Sequence, residues 1–352
     1  MNPADPRVVS IGDLTADLIV EVPDLPIRAD DFFITEQMRL EPGGSANLLI
    51  LLARLGAAAV ALGTLGEDLW GGHVIQILES EGVDVSLIRR EGTTTVALVL
   101  VDSRGRHSFV GSYGRGKALA FGVRETEAVA GAAALFASGY SLAETRLRDL
   151  TLAALEVAGR RGVPRFFDPG PAFAGLPPGV KRAALTGSDV LLLTEEELQE
   201  VSRTGMEDVL PSALSPIFDG NPGPAAPTVP AALSGPSVLA EATGPADATG
   251  RSGPRTVVVK QGAAGCRVYM KSTAGADLPG LPVTLRDTTA AGDCFDAGYI
   301  WAHLKGRTPE QCAGLANIAG AAATGKLGGG RNVPTVEELR QLIPRTGWDI
   351  EI

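Results

Sequence analysis

Short apolar runs separated by stretches of helix length recur along this chain, and that rhythm constrains its fold more than any other feature. Residues 8–11 form a β-branched run that ends at Gly12-Asp13, as expected of a buried strand. Apolar residues then crowd 47–55, with Gly56 as a stop, which predicts a buried helix. Residues 59–65 predict a strand, 71–82 a helix and 95–101 an alternating strand. A hairpin turn at 102–105 leads to a returning strand at 107–110. Further on come a helix at 146–161, strands at 164–167, 190–193 and 256–260, a strand-like segment at 283–285, and an Ala/Gly-rich helical region at 292–326. Apolar strands alternating with helices predict an α/β fold: a doubly wound, mostly parallel sheet with helices on both faces. The hairpin at 95–110 breaks the rhythm and suits a small β-sheet lid.

Composition narrows the function classes. Of 352 residues, 41 are Asp or Glu and 31 are Lys or Arg, giving a net charge of −10. Such a surface does not attract a phosphodiester backbone, so nucleic acid is not an expected partner. Hydrophobic residues at 45% can build a large core, which excludes global disorder. Cys266, Cys294 and Cys312 are far apart, and His73, His107 and His303 do not cluster. That is neither a disulfide framework nor a zinc site, and it suits a reducing cytoplasm. The start of the chain has no basic and then apolar leader. The longest uncharged apolar stretch, 128–143, is short for a membrane span and contains Gly131, Ser138, Gly139 and Ser141. It predicts a helix end followed by a buried strand, with no membrane partner. One segment departs from the rhythm: 211–254 holds nine of the 24 prolines, one Arg and no Lys. It is expected to be a surface insertion, in a chain long enough for one large α/β domain or two ordinary ones.

Two segments could cradle a phosphate. Gly111-Ser112-Tyr113-Gly114-Arg115-Gly116-Lys117-Ala118 nearly matches the Walker A loop. It lacks the Ser or Thr after the Lys that ligates Mg²⁺, and Gly122 follows too soon for the required helix. A Gly-rich turn after the hairpin is the better reading. The second is Asp287-Thr288-Thr289-Ala290-Ala291-Gly292-Asp293-Cys294-Phe295-Asp296-Ala297-Gly298. Residues 290–292 would occupy the first turn of a helix, where unpaired N–H groups and the helix dipole favour an anion. A carboxylate at Asp293 would repel that anion, but it would make sense as a base that takes a proton from an attacking hydroxyl. Spacing alone equally allows Asp293 to be a helix cap above a closely packed Ala/Gly run.

The second segment resembles the C-terminal signature D-T-x-G-A-G-D-x-F of the ribokinase-like (PfkB) carbohydrate kinase family. Other motifs follow in matching order. Pro42-Gly43-Gly44-Ser45-Ala46-Asn47, with Ala53-Arg54-Leu55-Gly56 and Gly63-Thr64-Leu65-Gly66-Glu67-Asp68-Leu69-Trp70-Gly71, is similar to the N-terminal signature. Gly12-Asp13-Leu14-Thr15-Ala16-Asp17 resembles the opening strand and substrate Asp. Leu193-Thr194-Glu195-Glu196-Glu197 resembles N-x-x-E, and Val259-Lys260-Gln261-Gly262-Ala263-Ala264-Gly265 resembles the nucleotide loop. The resemblance spans the chain except 211–254.

The resemblance implies a single doubly wound, ribokinase-like domain spanning 1–352, whose lid includes segments near 13–40 and 95–110, and ATP-dependent phosphorylation of a hydroxyl on a small sugar or sugar-like substrate. It makes Asp293 the catalytic base and the N–H groups of Ala290, Ala291 and Gly292 the anion hole. It puts Asp17, Gly43, Gly44 and Asn47 on the substrate, and Thr194, Glu197, Lys260, Gly262, Gly265 and Asn317 on ATP. Glu197 would organise Mg²⁺ through water, and Asp287 and Thr289 match positions that hold K⁺ in some members. A nucleoside kinase and a non-catalytic sugar or nucleotide sensor share the same motifs. A homodimer through the exposed lid edge also fits this pattern. Three departures stand out. Ala290 replaces the first Gly of G-A-G-D, and Thr194 replaces the Asn of N-x-x-E. Asp168-Pro169-Gly170-Pro171-Ala172 lacks the Asn and Arg of D-x-N-x-R, so this motif offers no guanidinium to an anionic substrate.

Overall fold

The computed structural model describes residues 5–36, 38–204, 206, 210, 214, 253–271, 275–348, 350 and 352. The 211–254 insertion therefore lies outside the described residues except for Leu214, Gly253 and Pro254. The strands are β1 (Arg7–Ile11), β2 (Leu14–Val22), β3 (Met38–Gly44), β4 (Ala58–Leu65), β5 (Asp84–Arg90), β6 (Thr95–Asp102) and β7 (His107–Ser112). They continue with β8 (Ala134–Ser138), β9 (Arg165–Asp168), β10 (Val190–Thr194), β11 (Thr256–Lys260), β12 (Gly265–Met270) and β13 (Ala276–Pro279).

Nine of them form one sheet in the order β13-β12-β11-β10-β9-β8-β1-β4-β5. Every pairing from β11 to β5 is parallel, and only β12 and β13 join antiparallel. Alternate side chains of one strand enter two separate cores: Val190 and Leu192 one, Leu191 and Leu193 the other. A strand buried on both faces must be apolar at every position, which explains the short uniform runs in the sequence.

Helices α1 (Ser45–Arg54) and α2 (Leu69–Ser80) cover the first core; α3 (Val123–Ala130), α4 (Gly139–Ala143), α5 (Arg148–Arg161), α6 (Pro178–Thr186) and α7 (Glu195–Arg203) cover the second. Helices α8 (Ala291–Leu304), α9 (Pro309–Thr324) and α10 (Val336–Leu342) return to the first. The helical region expected at 292–326 consists of two helices. Gly306 takes φ 71° after α8, and Thr308 starts a new helix by capping Gln311 with Pro309 at its first position.

The strand expected at 283–285 does not form. Gly280 N–H donates to Ala264, and the N–H groups of Arg286 and Asp287 both donate to the Thr324 carbonyl. The chain leaves the edge of the sheet there and approaches α8 without a partner strand.

Strands β3-β2-β6-β7 make the second, smaller sheet, with β2 and β6 parallel and the outer pairs antiparallel. This is the lid read from the hairpin, extended to Gly44. Its inner residues Ile19, Val99 and Val101 pack on Leu327, while all six residues of β7 are exposed. Strand β1 passes into β2 at Gly12-Asp13, and β3 passes into α1 at Gly44-Ser45, so both lid connections lie at the carboxyl end of the parallel sheet. The strand order reverses between β1 and β8, which opens a crevice at that end.

Candidate active site

Residues at the carboxyl ends of neighbouring strands converge on this crevice. Asp13 follows β1, Asp168 ends β9, Thr194 ends β10 and Lys260 ends β11. Helix α8 begins opposite them. Ala290, its first flanking residue, takes a left-handed conformation with φ 64°, the one positive φ of a non-glycine residue among those described. A strained backbone is kept where the surroundings require it; here it turns the chain so that the first turn of α8 faces the crevice. The N–H of Ala291 donates to Thr288 at 3.2 Å, and those of Ala290, Gly292 and Asp293 have no acceptor among the described residues.

Asp293 does not cap this helix. Its Oδ2 accepts a 2.8 Å hydrogen bond from Asn47 Nδ2 on α1, and Asn47 Oδ1 accepts from Gly330 N–H at 2.7 Å. Burial pushes the Asp293 carboxyl up to about 6, against the Asn47 hydrogen bond, with the charge of Asp168 adding to the rise. A carboxyl near 6 is ionised at neutral pH yet basic enough to accept a proton.

Asp17 on β2 is raised to about 6, chiefly by burial, although Thr15 Oγ1 donates to it at 2.6 Å. Gly43 lies across the β2–β3 ladder, and a Cβ there would overlap the Asp17 carboxylate. The glycine makes room for that carboxylate. Gly44 takes φ 59° against the Asp13 carbonyl and stands before the first turn of α1.

Three further groups were missed in the sequence. Asp13 is buried, and its carboxyl rises to about 7 through burial and then through the charges of Asp293 and Asp17. The Tyr140 hydroxyl is held far above its ordinary range by burial and by Asp13, Asp293 and Asp168. Asp296, one helical turn beyond Asp293, has no exposed surface. The G-D-x-x-x-D spacing could have pointed to Asp13. Nothing local marks Tyr140 or Asp296, because their partners come from distant strands.

Lys260 Nζ donates to Asp168 Oδ2 at 2.8 Å and to Asp296 Oδ1 at 3.1 Å. Burial works against this ammonium, but the charges of Asp168 and Asp296 outweigh it and keep it protonated. Burial likewise opposes ionisation of Asp168, yet Lys260 holds that carboxyl below its usual range. Asp296 is pushed well up by burial, with the charge of Lys260 opposing the rise and that of Asp168 adding to it. Its Oδ2 is buried without a hydrogen-bond partner.

Thr194 and Glu197 form a reciprocal cap on α7: Thr194 N–H donates to Glu197 Oε2 at 2.8 Å, and Glu197 N–H to Thr194 Oγ1 at 3.3 Å. Burial, then the charge of Asp168, raises the Glu197 carboxyl to about 7. No three metal-ligating side chains converge among the described residues. A lone half-buried carboxyl such as Glu197 would hold Mg²⁺ through water, because that ion usually keeps several of its waters.

The pfkB family carbohydrate kinase model matches residues 5–221 and 232–336. The chain belongs to the pfkB family of carbohydrate kinases. This kinase is 28% identical over 335 residues to an ATP-dependent ribose-1-phosphate kinase of Halopiger xanaduensis, covering 95% of this chain and 96% of that protein. It is 27% identical over 315 residues to a fructokinase of Klebsiella pneumoniae, with 85% and 91% covered. The fold also matches the structure of Arabidopsis thaliana ribokinase complexed with ribose and ATP. There the TM-score is 0.70 at 21% identity, with 96% and 99% of the two chains covered. A phosphotransferase acting on a hydroxyl, with ATP as the donor, follows from membership.

The residues expected to meet ATP fall into two groups. Lys260, Thr194 and Glu197 of this kinase share one end of the crevice. Gly262 takes φ 56° with open space where a Cβ would sit, and Gly265 takes φ 105° against Leu278. Asn317 is buried in α9, where its amide donates to the carbonyls of Leu278 and Pro279 at 3.3 Å, holding β13 against the helix. Asp287 Oδ1 accepts from Thr289 N–H and Oγ1, and its Oδ2 accepts from Gly328 N–H, so this pair ties the signature loop to the 328–330 turn. The near-Walker segment leaves β7 without opening a helix there, and α3 starts only at Val123.

Proposed function

We propose that this kinase transfers the γ-phosphoryl group of ATP to a hydroxyl of a small, uncharged sugar or sugar-like alcohol, with Asp293 as the general base. The observation that carries this reading is the Asp293 carboxyl itself. It is partly buried, aimed by Asn47, and set in a helix turn where the N–H groups of Ala290 and Gly292 have no acceptor among the described residues. Asp293 takes the proton from the attacking hydroxyl, and the N–H groups of residues 290–292 receive charge developing on the phosphoryl oxygens. Asp17 and Asn47 bind the acceptor's hydroxyls beside Gly43 and Gly44. Thr194, Glu197, Lys260, Gly262 and Gly265 line the ATP end, with Asn317 behind them. Mg²⁺, when bound near Glu197, neutralises the nucleotide's phosphate charge. Asp287 and Thr289 belong to the loop assigned to a monovalent cation such as K⁺.

Charge restricts the acceptor. Asp13, Asp17 and Asp293 raise one another's pKa or share one field, and Arg146, the one buried arginine among the described residues, is paired with Glu144. A carboxylate or phosphate on the acceptor would face uncompensated carboxylates. The exposed β7 edge, with Phe109 and Val110 on the surface, supports a homodimer through the lid, which sedimentation can test.

The decisive assay is release of ADP from Mg-ATP against a panel of ribose, fructose, their phosphates, a keto-deoxy sugar acid and nucleosides. Acceptor-dependent turnover with uncharged sugars, abolished in Asp293→Asn at unchanged fold, is the expected result. Turnover that survives Asp293→Asn would overturn the base assignment. Binding without turnover across the panel would favour a sensor, and preference for nucleosides would move the acceptor class.

A further inference from the structure

Lys260 stands at the end of β11, and its ammonium reaches the first turn of α8, where a Cβ added at Gly292 would lie 3.8 Å from Nζ. Beside it the N–H of Gly292 has no acceptor among the described residues. An ammonium and a free N–H thus converge on one small volume, and both attract an anion. The ammonium is not free to wander: Asp168 Oδ2 and Asp296 Oδ1 hold it at 2.8 and 3.1 Å, and its charge passes 5.8 Å from the Phe295 ring centre. Asp296 lies on the same helix as Asp293, three residues on, so one rigid element carries both the proposed base and an anchor of the cation.

We propose that Lys260 is a catalytic cation that meets the transferred phosphoryl group beside Gly292, and that Asp296 is the positioning residue that holds it there. This rests on the kinase reading above and extends it. A lysine that only binds ATP would contact ground state and transition state alike, whereas one fixed at the anion hole acts most strongly where charge develops. Asp296 is suited to positioning because it is fully buried and fixes Lys260 from the helix side, while Asp168 fixes it from the sheet side. A solvent-facing carboxylate would hold the ammonium loosely.

The test measures kcat and KM for ATP and acceptor in Lys260→Met, Asp296→Ala, Asp296→Asn and the double variant Lys260→Met/Asp296→Ala, with melting temperatures alongside. Lys260→Met should lower kcat about a hundredfold with little change in KM for ATP. Asp296→Ala should lower kcat about tenfold. Asp296→Asn, which keeps an oxygen for Lys260, should recover most of that loss. In the Lys260→Met background, Asp296→Ala should cost no further activity, because its effect passes through Lys260. A raised KM for ATP with unchanged kcat in Lys260→Met would overturn the catalytic role. Losses that multiply in the double variant would overturn the positioning role, as would a lowered melting temperature without a change in kcat for Asp296→Ala. If Asp296→Ala fails to fold, the Lys260→Met result and the Asp296→Asn rate decide the matter. Asp293→Asn run in parallel separates the two readings: if it is inactive while Lys260→Met is normal, this inference alone fails.

Discussion

Removing the Asn47 side chain should move the acid limb of the reaction. Asn47 Nδ2 donates to Asp293 Oδ2 at 2.8 Å and favours the ionised carboxylate. A hydrogen bond to a charged group contributes about 1.5–3 kcal/mol, and one pKa unit corresponds to about 1.4 kcal/mol, so its loss is worth about 1–2 units. From about 6, the Asp293 carboxyl in Asn47→Ala should rise to about 7–8. Asp293 works only when ionised, so kcat/KM climbs with pH through this value. At pH 6.5 the ionised fraction should fall from about three-quarters to about a quarter or less. Asn47 also accepts from Gly330 N–H and is proposed to touch the acceptor, so the plateau and the melting temperature should drop as well. The shift of the limb between the two proteins, rather than its position in either, reports the Asn47–Asp293 hydrogen bond, because Asp17 and Glu197 keep their own hydrogen-bond partners in both. The assay is kcat/KM for the best acceptor between pH 5 and 9 in both proteins. A lowered plateau with an unmoved limb would refute the argument and leave Asn47 a binding residue only.

Other outcomes follow from the same crevice. Asp13 is held near 7 in the fold against 3.8 as a model carboxyl, so the folded state binds the extra proton between those values. Its stabilising contribution is present at low pH and lost as pH rises through about 7. Asp13→Asn should therefore raise stability at pH 8 by on the order of 2–4 kcal/mol and change little at pH 4, as urea titrations at the two pH values would show; a less stable variant at pH 8 would contradict the electrostatics. Gly43→Ala should raise the acceptor KM about tenfold by displacing the Asp17 carboxylate while leaving KM for ATP alone; a change confined to ATP would count against Asp17 as an acceptor ligand. Excision of residues 216–250 spares Leu210 and Leu214, which pack in the core, and should leave kcat/KM unchanged; a large loss would give the insertion a part in turnover.

The sequence by itself determined the layered α/β architecture, because a strand buried on both faces has no choice but to be apolar throughout, and the runs at 8–11, 190–193 and 256–260 say so directly. It also placed the 290–293 turn at a helix start and marked the hairpin of the lid. Those signals are local: periodicity, turn residues and a contiguous motif. It failed at 283–285, where an apolar run lacks a partner strand, and it did not resolve the helical region at 292–326 into the two helices that Gly306 and Thr308 separate. Motif spacing did not reveal whether Asp293 caps its helix or faces a substrate. The tertiary structure shows that Asp293 does not cap its own helix but accepts from Asn47, brought across from α1, 246 residues away in the chain. It likewise decided that Asp13 belongs beside Asp293, and that Lys260 is held between Asp168 and Asp296. Each of these depends on through-space charge and burial between residues of different strands and helices, which no stretch of sequence contains.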